Sequence, residues 1–124
     1  MADIVVQQPA QQAQQLFLLH HGVGATPQGL VPLGQRLAAV FPNALIVALQ
    51  SPFPSDFGQG FQWFSVQGIT EENRPARIAA VMPQFVQCVQ DWQVRSGVAP
   101  EATALIGFSQ GAIMALEASQ GEAH

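Results

Sequence analysis

The sequence has no lysine, one cysteine and few charges of either sign. Its four arginines face eight carboxylates, and charged residues make up 10% of the chain. An ordinary domain carries about a quarter. With a net charge of −4 there is no basic patch for a phosphate backbone or an anionic lipid surface, which excludes nucleic acid and membrane surface as expected partners. No apolar run reaches the roughly 20 residues of a membrane span. The N-terminus lacks a basic segment followed by an apolar core, so no signal peptide is expected. The single Cys88 rules out an internal disulfide and fits the cytoplasm. No cluster of His, Cys, Asp or Glu has metal-ligand spacing, so neither metal nor cofactor is expected. No internal repeat is present.

What remains is apolar. Hydrophobic residues make up 48% of 124 positions, enough for one domain with a buried core. Glutamine supplies much of the polar surface. Asp3 to Gln7 is a short strand candidate, and Gln8 to Gln15 reads as a solvated loop. Leu16-Phe17-Leu18-Leu19 and Ala44 to Leu49 are apolar without alternation, as in parallel strands buried on both faces. Between them lies a helix within Thr26 to Phe41. It starts either at a Thr26 cap, with Pro32 as a kink, or near Gly29. Ser51 to Gly60 carries two prolines and two glycines and reads as loop. Thr70 to Ser96 is the longest helical stretch, with Asn73 as the expected cap, a kink at Pro83 and a stop at Gly97. Thr103 to Phe108 is the last strand.

This order of strands and helices implies an α/β fold with a mostly parallel sheet and helices on both faces. If the Leu16 strand lies between the other two parallel strands, the switch point falls between the Leu16 and Ala104 strands. Ligands bind at such points, beyond the strands' carboxyl ends. Two loops meet there. One is His20-His21-Gly22-Val23-Gly24. The other is Gly107-Phe108-Ser109-Gln110-Gly111, between an apolar strand and the small apolar helix Ala112 to Leu116. Gly-x-Ser-x-Gly alone also describes an ordinary glycine-rich turn. Between strand and helix it is the pattern of a nucleophile elbow, which exposes a serine Oγ and frees the next amide, Gln110, to donate to an oxyanion.

The His21-Gly22-Val23-Gly24 loop, Trp63-Phe64 and Gly107-Phe108-Ser109-Gln110-Gly111-Ala112 together resemble the phospholipase/carboxylesterase family of α/β-hydrolases. That family includes bacterial carboxylesterases and acyl-protein thioesterases. The resemblance runs from about Leu16 to Leu116. It implies a three-layer fold, Ser109 as nucleophile and the Val23 and Gln110 amides as oxyanion hole. It also implies a small acyl ester or thioester substrate. Trp63 and Phe64 are the candidate substrate-contacting pair, although an aromatic patch under a loop more often just packs.

The family's triad runs Ser, Asp, His. After Ser109 the sequence has no aspartate, and its one later histidine is His124. Glu117 falls on the helix leaving the elbow, where the family's acid does not sit. His20 and His21 occupy the oxyanion-loop position and are weak candidates for the base. Residues 1–124 therefore read as the N-terminal half of one hydrolase domain, inactive alone for want of the triad Asp and His. The alternative is a catalytically silent fragment that associates through its open sheet edge, as a homodimer or with a complementary C-terminal fragment. A nucleotide-binding module is disfavoured, since no Gly-x-Gly-x-x-Gly follows the Leu16 strand.

Overall fold

A computed structural model describes residues 3–120. In chain order the elements are β1 (Ile4–Gln7), β2 (Gln15–His20), α1 (Val31–Val40), β3 (Ala44–Leu49), β4 (Phe53–Pro54), β5 (Phe61–Gln62), α2 (Arg74–Ser96), β6 (Thr103–Gly107) and α3 (Gln110–Gln120). Short 3-10 turns at Pro27–Leu30 and Pro100–Ala102 lead into α1 and β6.

The main sheet has the order β1-β3-β2-β6. β2 is parallel to both neighbours, with His20 opposite Leu49 on one side and Gly107 on the other. β1 is an antiparallel edge, carrying an irregularity between Val5 and Gln7. The expected switch point between the Leu16 and Ala104 strands is therefore present.

The unbroken apolar runs of β2 and β3 follow from burial on both faces. Leu16, Leu18, Leu45, Val47 and Leu49 face one core with Ile78, Phe85 and Val89 of α2 and Met114 of α3. Phe17, Leu19, Ile46 and Ala48 face the other, with Leu37 and Ala38 of α1. The result is three layers: α1, the sheet, then α2 and α3.

Both prolines near α1 start it rather than bend it. Pro27 opens the 3-10 turn and Pro32 lies in the first turn of α1, where the missing N–H has no intrahelical acceptor to lose. Asn73 does precede α2, but its side chain does not cap that helix. It accepts from the Thr70 amide at 2.8 Å, while Thr70 Oγ1 accepts from the Asn73 amide at 3.1 Å, closing the turn before α2. α2 continues through Pro83 and ends at Gly97, whose φ of 71° suits a residue without Cβ.

The glutamine-rich stretch is a largely exposed loop, as read, tethered by Gln12 Nε2 donating to the Ser96 carbonyl at 2.7 Å at the end of α2. One loop reading changes: the 51–60 region opens a small hairpin, in which Phe53 pairs with Gln62 and Pro54 with Phe61. A two-residue ladder containing proline leaves no strand period to read.

Candidate active site

β2 and β6 end side by side, and their loops come together. The Phe108 amide donates to the His20 carbonyl at 3.0 Å. Gly22 sits so close to the elbow that a Cβ placed there would lie 3.3 Å from Ser109 Cβ. The turn itself explains the motif. Ser109 has a φ of 51°, the one positive value at a non-glycine position among the described residues. An L-residue adopts that conformation only where the surrounding structure enforces it. Here strand and helix approach closely. A Cβ on Gly107 would collide with the Gly111 backbone, and one on Gly111 would collide with the His20 carbonyl. Glycine at both positions lets β6, β2 and α3 converge, and the serine is left exposed at the apex.

Gln110 is the first residue of α3, so its amide has no intrahelical acceptor. The Val23 amide, in the facing loop, likewise has no hydrogen-bond partner among the described residues. The flanking amides are occupied: Gly24 donates to the Phe61 carbonyl at 3.0 Å and Ala25 to the Gly22 carbonyl at 3.2 Å. Two N–H groups without partners among the described residues thus lie on the two loops that adjoin at the exposed Ser109, and hydrogen-bond donors are what stabilising an oxyanion requires.

Neither described histidine is free to act as a base. His21 is buried, and its Nε2 accepts from the Ser51 amide at 3.0 Å. That fixes the proton on Nδ1, which donates to the Gly22 carbonyl at 2.7 Å. Burial lowers its pKa, against the opposing pull of the Gly22 carbonyl. The Gly22 carbonyl and the Val23 N–H belong to one planar peptide, so holding the carbonyl also fixes the N–H. His20 is 2% exposed and its ring lies 4.8 Å from that of Phe85. Neither ring nitrogen has a partner among the described residues. Burial, with a smaller contribution from His21, lowers its pKa to about 3. It is a neutral core residue under the elbow. His124 lies outside the described residues.

Trp63 and Phe64 are 2% and 6% exposed and lie in the α2-side core, with the Trp63 and Phe85 ring centroids 5.2 Å apart. Their burial matches the packing reading. What the sequence concealed is a link through Gln110, whose buried side chain accepts from the Trp63 amide at 2.7 Å and donates to the Phe64 carbonyl at 2.8 Å. A glutamine in a glutamine-rich chain gives no sign of such a role. Phe57, exposed at the hairpin tip and beside Gly24, was equally unmarked within its loop. Among the described residues no group of three His, Cys, Asp or Glu side chains could hold a metal ion.

A three-layer, mostly parallel sheet with a strained serine between strand and helix at its switch point defines the α/β-hydrolase fold. The chain belongs to the phospholipase/carboxylesterase family, whose model matches residues 1–123. It is 55% identical over 118 residues to esterase YpfH of Escherichia coli (strain K12), covering 95% of this chain and 51% of that protein. Among solved structures it is similar to esterase PE8, at 32% identity and a TM-score of 0.81, over 90% of this chain and 54% of that one. A carboxylesterase from Mesorhizobium loti matches at 27% identity and a TM-score of 0.67, over 84% and 47%. The chain thus spans about half the length of these relatives.

Proposed function

We propose that the chain supplies the nucleophile and oxyanion hole of a serine hydrolase acting on carboxylic esters or thioesters. Ser109 Oγ attacks the acyl carbon, and the carbonyl oxygen, now negative, accepts from the Val23 and Gln110 amides. Collapse of this tetrahedral species expels the alcohol or thiol and leaves an acyl-enzyme on Ser109, which water then hydrolyses. The observation that carries this reading is the strained, exposed Ser109 set against Gly22 with two unpaired amides beside it.

A serine hydroxyl needs an adjacent base at neutral pH. His21 is committed to Gly22 and Ser51, and His20 is buried in the core as a neutral ring, so the base and its acid partner come from outside the described residues. In this reading they are a His and an Asp supplied by the part of the relatives' length that the chain does not span. The 124-residue chain alone then turns over little or no ester. A second reading, in which the chain is catalytically silent and associates with a partner, is favoured by the edge of β6, which has no strand beside it other than β2 among the described residues.

A fluorophosphonate probe separates the two. It is applied to the chain and to the chain extended to the length of its esterase relatives. The hydrolase reading predicts an adduct on Ser109 of the extended protein, absent in Ser109→Ala, and labelling about a thousandfold slower in the chain alone. No adduct on Ser109 in the extended protein sinks that reading. Equally fast labelling of the 124-residue chain shows that it contains its own base.

A further inference from the structure

The two amides of the proposed oxyanion hole sit on separate loops, and one short segment is bonded to both. At its first residue, Phe61 accepts from the Gly24 amide and donates to the Ala25 carbonyl, each at 3.0 Å. Two and three residues on, the Trp63 amide donates to Gln110 Oε1 and the Phe64 carbonyl accepts from Gln110 Nε2. The Gln110 side chain thus runs alongside the backbone of 63–64 as a strand neighbour does, using one acceptor and one donor. Gln110, Trp63 and Phe64 are buried, so these bonds form out of competition with water.

We infer that residues 61–64 form a brace between the oxyanion loop and the elbow, and that the Gln110 side chain is a positioning residue for the hole to which its own amide contributes. This rests on the hydrolase reading. The proposed donors sit on the loops that the brace joins: Val23 precedes the Gly24 amide held by Phe61, and Gln110 carries one donor on its backbone and the brace contact on its side chain. Fixing Phe61 relative to Trp63 therefore fixes the two donors relative to each other. A pair of hydrogen-bond donors aimed at a developing charge loses effect when either drifts. The assignment also gives the Trp63-Phe64 pair a role suited to its burial. The two rings anchor the brace in the core, and the backbone between them does the positioning.

Two variants keep the residue 110 amide in place. Gln110→Met conserves volume and removes both side-chain hydrogen bonds. Gln110→Glu keeps an acceptor for the Trp63 amide but turns an oxygen toward the Phe64 carbonyl, until protonation of the introduced carboxyl restores a donor there. Hydrogen exchange on the 124-residue chain reads the brace. Exchange at Trp63 and Gly24 is expected to accelerate about tenfold in Gln110→Met, with exchange in β2 and β3 unchanged. The rate of Ser109 labelling by a fluorophosphonate, in the chain extended to the length of its relatives, reads the hole. It is expected to fall about tenfold or more in both variants at neutral pH. Relative to the parent, it recovers in Gln110→Glu as pH falls through the raised pKa of the buried carboxyl, a dependence that a purely structural role does not produce. Unchanged exchange at Trp63 and Gly24 overturns the brace. Faster exchange with unchanged labelling overturns its role in positioning. A parent protein that never labels at Ser109 fails the hydrolase reading instead, while the exchange data still decide whether the brace exists.

Discussion

At Ser109 the backbone conformation and the proposed chemistry are one feature. With a φ of 51°, Ser109 stands exposed at the turn between β6 and α3. The left-handed conformation costs an L-residue about 1 kcal/mol, and glycine much less. Ser109→Gly is therefore expected to be about 1 kcal/mol more stable to urea than Ser109→Ala, although both lack the hydroxyl. Equal midpoints would mean that the turn holds no strain. The motif was legible because close approach of backbone leaves only glycine at positions 107 and 111, and that requirement shows in the sequence. The role of Gln110 was not, because a buried amide and a solvated one are the same letter.

His20 supplies a second prediction at this scale. Its folded-state pKa of about 3 lies below the unfolded value of 6.5. Between those values the unfolded chain binds a proton that the folded chain refuses, so stability falls as pH falls from about 6.5 toward 3. The slope is at most about 1.4 kcal/mol per pH unit, and the contribution is intact above pH 7. The neighbouring titratable group is His21, also held neutral. His20→Leu, which removes a buried group without hydrogen-bond partners, is expected to be at least as stable as the parent at pH 7 and to lose less stability by pH 4. Parallel pH–stability curves for the two proteins would show that His20 is not buried as a neutral ring.

At the scale of elements, the pattern of apolar runs carried most of the fold. Leu16 to Leu19 of β2 and the whole of β3 are apolar because both faces are covered, and the 3.6-residue stripe Ile78, Phe85, Val89 and Trp92 places α2 on the core. Their order and right-handed crossovers then determine which loops meet. The signal failed where hydrogen bonds rather than burial define the element. β4 and β5 have two residues each, with Pro54 in the ladder, and Gln12 is held at the end of α2 by a single side-chain bond. These features matter for the site, since β5 begins the segment joining the two loops that carry the proposed oxyanion donors. Neither is visible as hydrophobic periodicity.

At the scale of the molecule, β6 lies at one end of the sheet. Among the described residues it pairs only with β2, and its five residues are apolar or small apart from Thr103, all partly exposed. An edge with free N–H and C=O groups and neither charge nor proline templates pairing with another chain. A groove of about 1140 Å³ between α2 and α3, lined by Ile78, Met82, Val86, Ile113 and Leu116 among others, adds apolar surface. No helix among the described residues is long and apolar enough to cross a membrane, so that surface is not a span. The 124-residue chain is expected to self-associate at micromolar concentration in sedimentation, and lysine placed in the middle of β6, as Leu105→Lys, is expected to reduce it. A monodisperse species near 13.2 kDa for the parent chain would show that the β6 edge is covered.

All of these features converge on one claim, that the ends of β2 and β6 build a single site around Ser109. It is tested most directly by forming the fluorophosphonate adduct on Ser109 in 15N-labelled protein and following every backbone amide. The phosphonyl oxygen stands where an acyl oxyanion forms. The Val23 and Gln110 amide protons are expected to move downfield more than any others, because each gains a short bond to that oxygen. An adduct on Ser109 that leaves those two resonances in place, with other amides moving instead, would contradict it.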